Sequence, residues 1–152
     1  MSPPFVPIVH PDATGELRAE ILSQLKQFNR RRAGDPQLEP LTVVTYDADG
    51  MLAGGLVGEF YWRWLHVDLL WVATPQRGRG LGTRLLQCAE DEARARDCLG
   101  VYLDSFDFQA PGFYGKLGYR VFGVLDDYPP GSRQTYFAKR LDEHPSPDSP
   151  AS

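Results

Sequence analysis

Residues 71–84, Trp-Val-Ala-Thr-Pro-Gln-Arg-Gly-Arg-Gly-Leu-Gly-Thr-Arg, read as a strand that ends in a glycine-rich turn and opens a helix. The preceding Leu65 to Val72 is apolar and β-prone, and Leu81, Leu85, Cys88, Ala89 and Ala93 then recur at helical spacing. Gly78, Gly80 and Gly82 fall where the chain changes direction, and glycine there permits positive φ and close approach of a ligand to the main chain. The first turn of a helix has N–H groups with no partner inside the helix, and the helix dipole adds positive potential, so the expected ligand is an anion. The spacing is not that of a Gly-x-x-x-x-Gly-Lys-Ser/Thr loop, since no lysine follows. Nor is it a clean Gly-x-Gly-x-x-Gly fingerprint with an acidic residue at the end of a second strand.

A second pattern, Ala110-Pro111-Gly112-Phe113-Tyr114-Gly115-Lys116-Leu117-Gly118-Tyr119, follows the strand-like Gly100 to Ser105. It reads as a helix too short to be stable alone, with Phe113 and Leu117 on one side, Tyr114 pointing elsewhere, and Gly118 as its C-cap. The first pattern, Arg77-Gly78-Arg79-Gly80-Leu81-Gly82, is an instance of Gln/Arg-x-x-Gly-x-Gly/Ala, and the second matches Ala-x-x-Phe-Tyr-x-Lys-Leu-Gly-Phe/Tyr. In both, and in their order, the chain resembles the GNAT superfamily, the Gcn5-related N-acetyltransferases. The resemblance implies that the loop holds the pyrophosphate of acetyl-coenzyme A. It also implies that Tyr114 lies near the coenzyme sulfur and protonates the departing thiolate, the alternative being an interior tyrosine with a satisfied hydroxyl. Many members carry an asparagine just before the second motif, whereas this chain has Ser105-Phe106-Asp107-Phe108-Gln109. Gln109 either substitutes through its amide or the contact is absent.

Acetyl transfer to an amine needs an oriented thioester, a neutral amine and a proton donor for the leaving thiolate. The loop and the main chain around Trp71 and Val72 would orient the thioester, because in the family this strand splays from its neighbour and exposes an N–H to the carbonyl. Arg77 and Arg79 add charge near the phosphates, and Leu81, Thr83 and Arg84 stand in the first helical turn. For the base, His66 and Asp68 share one face of their strand by alternation, with Leu70 on that face as well. Glu59 on the preceding strand is the third candidate, and many relatives manage with ordered water. Each of these polar residues has an equally ordinary reading as hydrogen-bonded structure. Trp62, Trp64, Tyr61, Phe106, Phe108 and Tyr128 offer an aromatic wall for the acceptor, and Glu59, Asp104, Asp107, Asp126 and Asp127 attract a cation. Core aromatics and solvated turn acids are the plainer account of most of them.

These side chains must be held by a domain, and 152 residues suffice for one with a substantial core, residues 1–141. The formal charge of −4 excludes a general binder of nucleic acid or anionic membrane, and favours a cationic acceptor. Arg30-Arg31-Arg32, the one basic run, reads as a helix end, with a contact to coenzyme or partner as the alternative. Cys88 and Cys98 have neither metal nor disulfide spacing, which fits reduced thiols in a cytoplasmic protein, and no metal is expected. No segment reads as a signal peptide or as a membrane span.

Strands are predicted over Phe5–Val9, Leu41–Tyr46, Met51–Trp62, Leu65–Val72, Gly100–Ser105, Arg120–Leu125 and Gln134–Lys139, with Asp47–Gly50 turning the first hairpin. Gly54, Gly55 and Gly58 mark a bulge or a close approach within the second strand of that hairpin. A helix capped by Asp12 or Thr14 carries Leu17, Ile21, Leu25 and Phe28 on one face, and residues 142–152 have the composition of a disordered tail. The order β-α-β-β-β-α-β-α-β-β describes an α+β domain, a central mixed, mostly antiparallel β-sheet flanked by helices, which is also the GNAT-like order. The expected activity is acetyl transfer from acetyl-CoA to a small-molecule amine by direct attack. Protein lysine or N-terminal acetylation and a non-catalytic acyl-CoA sensor are the alternatives, and family habit allows a homodimer.

Overall fold

The structure, a computed structural model, describes residues 5–110 and 112–142, and its contacts divide the chain into two units, residues 1–36 and 37–152. The expected disordered tail lies outside the described residues except for Asp142, as does Pro111 of the second motif.

In the first unit, residues 5–10 are exposed and have no regular structure, which corrects the strand expected at Phe5–Val9. A short apolar run alone does not make a strand. Pro7 breaks the row of N–H donors, and none of the six strands of the sheet pairs with this stretch. Helix α1, Glu16–Ala33, follows. Its N-cap residue is Gly15, at φ 74°, and Asp12 reaches in from three residues earlier: Oδ1 and Oδ2 accept from the backbone N–H groups of Leu17 and Arg18, each at 3.0 Å. Arg30, Arg31 and Arg32 occupy its last turn, where cations suit the dipole, and Arg30 lies 3.5 Å from Asp35.

The second unit runs β1 (Glu39–Tyr46), β2 (Leu52–Tyr61), β3 (Trp64–Val72), α2 (Leu81–Ala95), β4 (Gly100–Phe106), α3 (Phe113–Lys116), β5 (Arg120–Asp126) and β6 (Arg133–Arg140). The sheet order is β1-β2-β3-β4-β6-β5, and only β3 and β4 are parallel. The crossover between them is α2, as a parallel pair requires. Leu85, Leu86, Ala89 and Ala93 of α2 pack on Leu56, Leu65, Val67, Val101 and Leu103 of the sheet, and Tyr114 and Tyr119 complete this core.

Two irregularities shape the end of the sheet where β3 stops. Val57 pairs with Leu69 but Gly58 pairs with Val67, so Asp68 is an extra residue, a β-bulge. Gly58 is required there, because a Cβ would run into the carbonyl oxygen of His66. The bulge also changes the phase of the strand. Leu65 and Val67 face the core before it, and Leu70 and Val72 pack against the core after it. Leu70 therefore does not share the face of His66, as simple alternation predicts. Secondly, the parallel pairing of β3 with β4 runs from Trp64↔Gly100 to Val67↔Leu103 and ends, although both strands continue. Beyond that point β4 keeps β6 as its partner and β3 keeps β2, so the two strands part at Asp68 and Asp104.

Candidate active site

Between β3 and α2 the chain makes a 3-10 turn, Thr74–Gln76, and then the glycine loop. Gly78 and Gly80 hold φ of 77° and 76°, and a Cβ at either would meet nothing within 4 Å. Their requirement is conformational, and the space beside them is open. Gly82 differs from the expectation for it. It lies inside α2 in ordinary helical conformation, and a Cβ there would come 3.4 Å from Phe113 Cζ and 3.7 Å from Val72 Cγ2. The third glycine therefore lets α3 and β3 approach the first turn of α2.

Gly80 is the N-cap of α2, and no side chain caps that end. The contrast with α1, whose first N–H groups are held by Asp12, is direct. The first N–H groups of α2 thus have no side-chain acceptor among the described residues, and the positive end of a four-turn helix lies behind them. Thr83 is half-buried here, while Arg79 and Arg84 are exposed. Leu81 packs against the core, so only its main chain is available to a ligand. Arg77 folds back: its Nε donates to the carbonyl oxygen of Val72 at 3.1 Å, tying the loop to the strand it leaves. Trp71 is half-exposed on that strand.

α3 follows β4 on the same side of the sheet as α2. Phe113 and Leu117 both pack against the core, as expected, but Tyr114 does not point away from it and is the most deeply buried of the three. Phe113 lies over Gly82, and Tyr114 points inward onto Phe137 and Tyr119, with ring centroids 5.3 Å and 5.9 Å away. Among the described residues the Tyr114 hydroxyl makes no hydrogen bond, and it is not sealed from solvent, since the one sealed, unpartnered side-chain polar atom there is Trp62 Nε1. Burial, and then the charge of Asp104, push its phenol above the ordinary tyrosine range.

That influence of Asp104 reaches Tyr114 past the opening between β3 and β4. The Asp104 carboxylate accepts a hydrogen bond from Gln134 Nε2, and Gln134 Oε1 in turn accepts from the Tyr136 hydroxyl at 3.1 Å. Asp68 stands across the opening, exposed on its bulge. His66 and Glu59 lie farther back, paired with each other in the ladder. The His66 ring stacks on Tyr102 at 4.7 Å, and burial, followed by the Glu59 charge, raises the Tyr102 phenol. The structure therefore separates the three expected bases, leaving Asp68 at the opening and His66 and Glu59 in a row with Tyr102. Sequence reasoning assigned Asp104 only to attracting a cation, and Gln134 and Tyr136 to nothing; the signal was the alternation of β4 and β6, which sets Tyr102, Asp104, Gln134 and Tyr136 on one face.

Gln109 closes the end of β4 on itself. Its Oε1 accepts from the Phe106 N–H at 2.8 Å and the Ser105 hydroxyl at 3.2 Å, so the amide nitrogen is the end left for a ligand. The expected aromatic wall falls into two groups. Tyr61, Trp62 and Trp64 gather at the β2–β3 turn, whereas Phe106, Phe108 and Tyr128 form a cluster at the opposite end, with centroids 5.2 Å and 5.9 Å from Phe106. Near this second cluster is a cleft of about 440 Å³ lined by Asp107, Asp126, Asp127, Gly131, Ser132 and Arg133. It sits at the carboxyl ends of β4 and β5, the end of the sheet at which β3 also delivers the glycine loop.

A family model described as the acetyltransferase (GNAT) family matches residues 8–119. The blasticidin-S acetyltransferase of Streptomyces morookaense is 50% identical over 117 residues, 73% of this chain and 85% of that protein. The crystal structure of an acetyltransferase from Bacillus cereus ATCC 14579 matches with a TM-score of 0.77 at 33% identity, over 93% of this chain and 100% of that one. Nourseothricin acetyltransferase matches with a TM-score of 0.61 at 30% identity, over 68% of this chain and 66% of that one. The chain belongs to the GNAT acetyltransferase family. It is an acetyl-CoA-dependent N-acetyltransferase, and two of the proteins it resembles are named as acetyltransferases of blasticidin S and of nourseothricin.

Proposed function

We propose that this enzyme passes the acetyl group of acetyl-CoA directly to the amine of a small cationic molecule, and that blasticidin S is the first acceptor to try. The observation that carries the reading is the parting of β3 and β4 at the end of the sheet that also holds an uncapped helix N-terminus and an unbonded tyrosine hydroxyl.

Acetyl-CoA supplies the acetyl group as a thioester. The N–H groups of residues 80–83 fit a diphosphate, because they lack a side-chain acceptor and lie beside two glycines that leave the approach open. Arg79 adds cationic charge from the loop, and Arg77 holds the loop to Val72. Main-chain N–H groups of β3 beyond Val67 no longer serve β4, so they can donate to a carbonyl placed in the opening. Tyr114 holds a proton at Oη on the α2 side, where a leaving thiolate would need it. On the other side Asp104, oriented by Gln134, accepts the proton of the amine directly or through water, with Asp68 opposite. The acidic cleft of Asp107, Asp126 and Asp127 and the Phe106, Phe108, Tyr128 cluster then hold the cationic body of the acceptor. The 50% identity to an enzyme named for blasticidin S supports that choice, and nourseothricin is the second.

The test is thiol release from acetyl-CoA across a panel of amines containing blasticidin S, nourseothricin and aminoglycosides. Release with one of them, and an acetylated amine by mass spectrometry, is the expected result. Tight coenzyme binding with no release from any of these amines would overturn the small cationic acceptor.

A further inference from the structure

The helix that carries Tyr114 is only four residues long, and so short a helix cannot hold its own orientation. Something else fixes the tyrosine. The carbonyl oxygen of Tyr114 accepts from the N–H of Leu117 and from that of Tyr119, each at 3.1 Å, so the main chain of Tyr119 is bonded directly to the main chain of Tyr114. Tyr119 is itself anchored at its far end. Its hydroxyl donates to Oε1 of Glu90 at 3.0 Å, and this carboxylate, 3% exposed, also receives Lys139 Nζ at 3.1 Å and 3.0 Å on its two oxygens. Glu90 belongs to α2, ten residues after Gly80, roughly 15 Å along the same rigid helix that opens at the glycine loop. Lys139 belongs to β6. Arg94 Nη2, 3.6 Å from Oε2, is a third partner, so the buried carboxylate is fixed in place from two sides and offers the Tyr119 hydroxyl a directional acceptor.

We propose that Glu90 and Tyr119 are positioning residues for the reaction: their hydrogen bond locks α3 to α2, and so sets Tyr114 at a fixed distance from the phosphate-binding loop. The proposal rests on the reading of Tyr114 as the proton donor. Lys139 orients the carboxylate from the strand side, and the Tyr114 ring meets the Tyr119 ring edge to face.

Tyr119→Phe removes the hydrogen bond and keeps the ring, so the chain retains its packing. With blasticidin S as acceptor, kcat is expected to fall about tenfold, with KM for acetyl-CoA within about twofold of the parent, the loss of one oriented step. In a Tyr114→Phe background the same change should cost nothing further, because there is no longer a donor to aim. A loss of the same size in both backgrounds, or none in the parent, overturns the positioning role alone. A Tyr114→Phe enzyme with undiminished kcat overturns the donor reading and the positioning role together. A second readout needs no acceptor: in the ¹³C-tyrosine spectrum of the full chain, the Tyr114 ring resonance, assigned by its loss in Tyr114→Phe, should broaden or split in Tyr119→Phe. An unchanged resonance also overturns the proposal.

Discussion

Tyr114 and Tyr119 are both tyrosines buried in one core, and their environments set them to different work. The Tyr119 phenol is raised far above the ordinary range by burial first and then by the Glu90 carboxylate it bonds, which makes it a permanent donor. Tyr114 is raised by burial and by Asp104 but has no hydrogen bond of its own among the described residues, the condition of a group with a proton to give. Tyr114→Phe should lower kcat by about 10²-fold, the contribution of one placed acid, with little change in KM for acetyl-CoA. Because the Tyr114 phenol keeps its proton above the ordinary value near 10, a rate limited by it should hold through about pH 10 and fall only beyond, as a kcat profile would show. The stability sign follows the same shifts. Above the unfolded tyrosine value the unfolded chain loses phenolic protons that the folded chain retains, so unfolding becomes easier as pH rises past about 10. Denaturant melts at rising pH should show that decline, and Tyr119→Phe should flatten it.

The glycine loop and α2 form the element on which coenzyme binding turns. Gly80→Asp places a carboxylate and a Cβ where left-handed backbone and an uncapped N-terminus meet, and should abolish acetyl-CoA affinity in calorimetry. Retained affinity would remove the loop from the site. The bulge of β3 makes a separate demand on β2. Gly58→Ala drives a Cβ into the His66 carbonyl and should cost about 1–3 kcal/mol, read as a Tm lower by several degrees. The edge strand β5 has its own bulge at Phe122, between the pairs Val121↔Phe137 and Gly123↔Tyr136, a device that discourages pairing along an exposed apolar edge.

In the second unit, the carboxyl ends of β3, β4 and β5 converge on one end of the sheet, where Asp107, Asp126 and Asp127 outnumber Arg133, 3.4 Å from Asp126, in the lining of the cleft. Such a field draws a cation from solution and weakens with salt. Asp107→Asn should raise KM for a cationic acceptor about two- to fivefold, the effect of one exposed charge, without changing KM for acetyl-CoA. The KM of the parent for that acceptor should likewise climb with ionic strength, whereas an uncharged amine would show neither trend. Among the described residues no helix is long and apolar enough to cross a membrane.

Six of the seven predicted strands, the capped first helix, the glycine turn and the short second-motif helix were legible along the chain, because periodicity, turn residues and caps act over a few positions. Asp12 bonding the first turn of α1 and Gly118 as the helix stop, at φ 89°, are of that local kind. The strand at Phe5–Val9 was not, since a strand exists only where another offers its hydrogen bonds. The phase change at Asp68, the burial of Tyr114 beside Phe113, and the separation of Asp68 from His66 and Glu59 depend on how neighbouring strands register and where two of them part. Motif residues thus announce the chemistry, because short-range sterics and chain direction are written in consecutive side chains. Which carboxylate faces the opening, and what aims the tyrosine, is set by contacts between residues distant in sequence, such as Glu90 with Tyr119 and Asp104 with Gln134, and no local pattern encodes those.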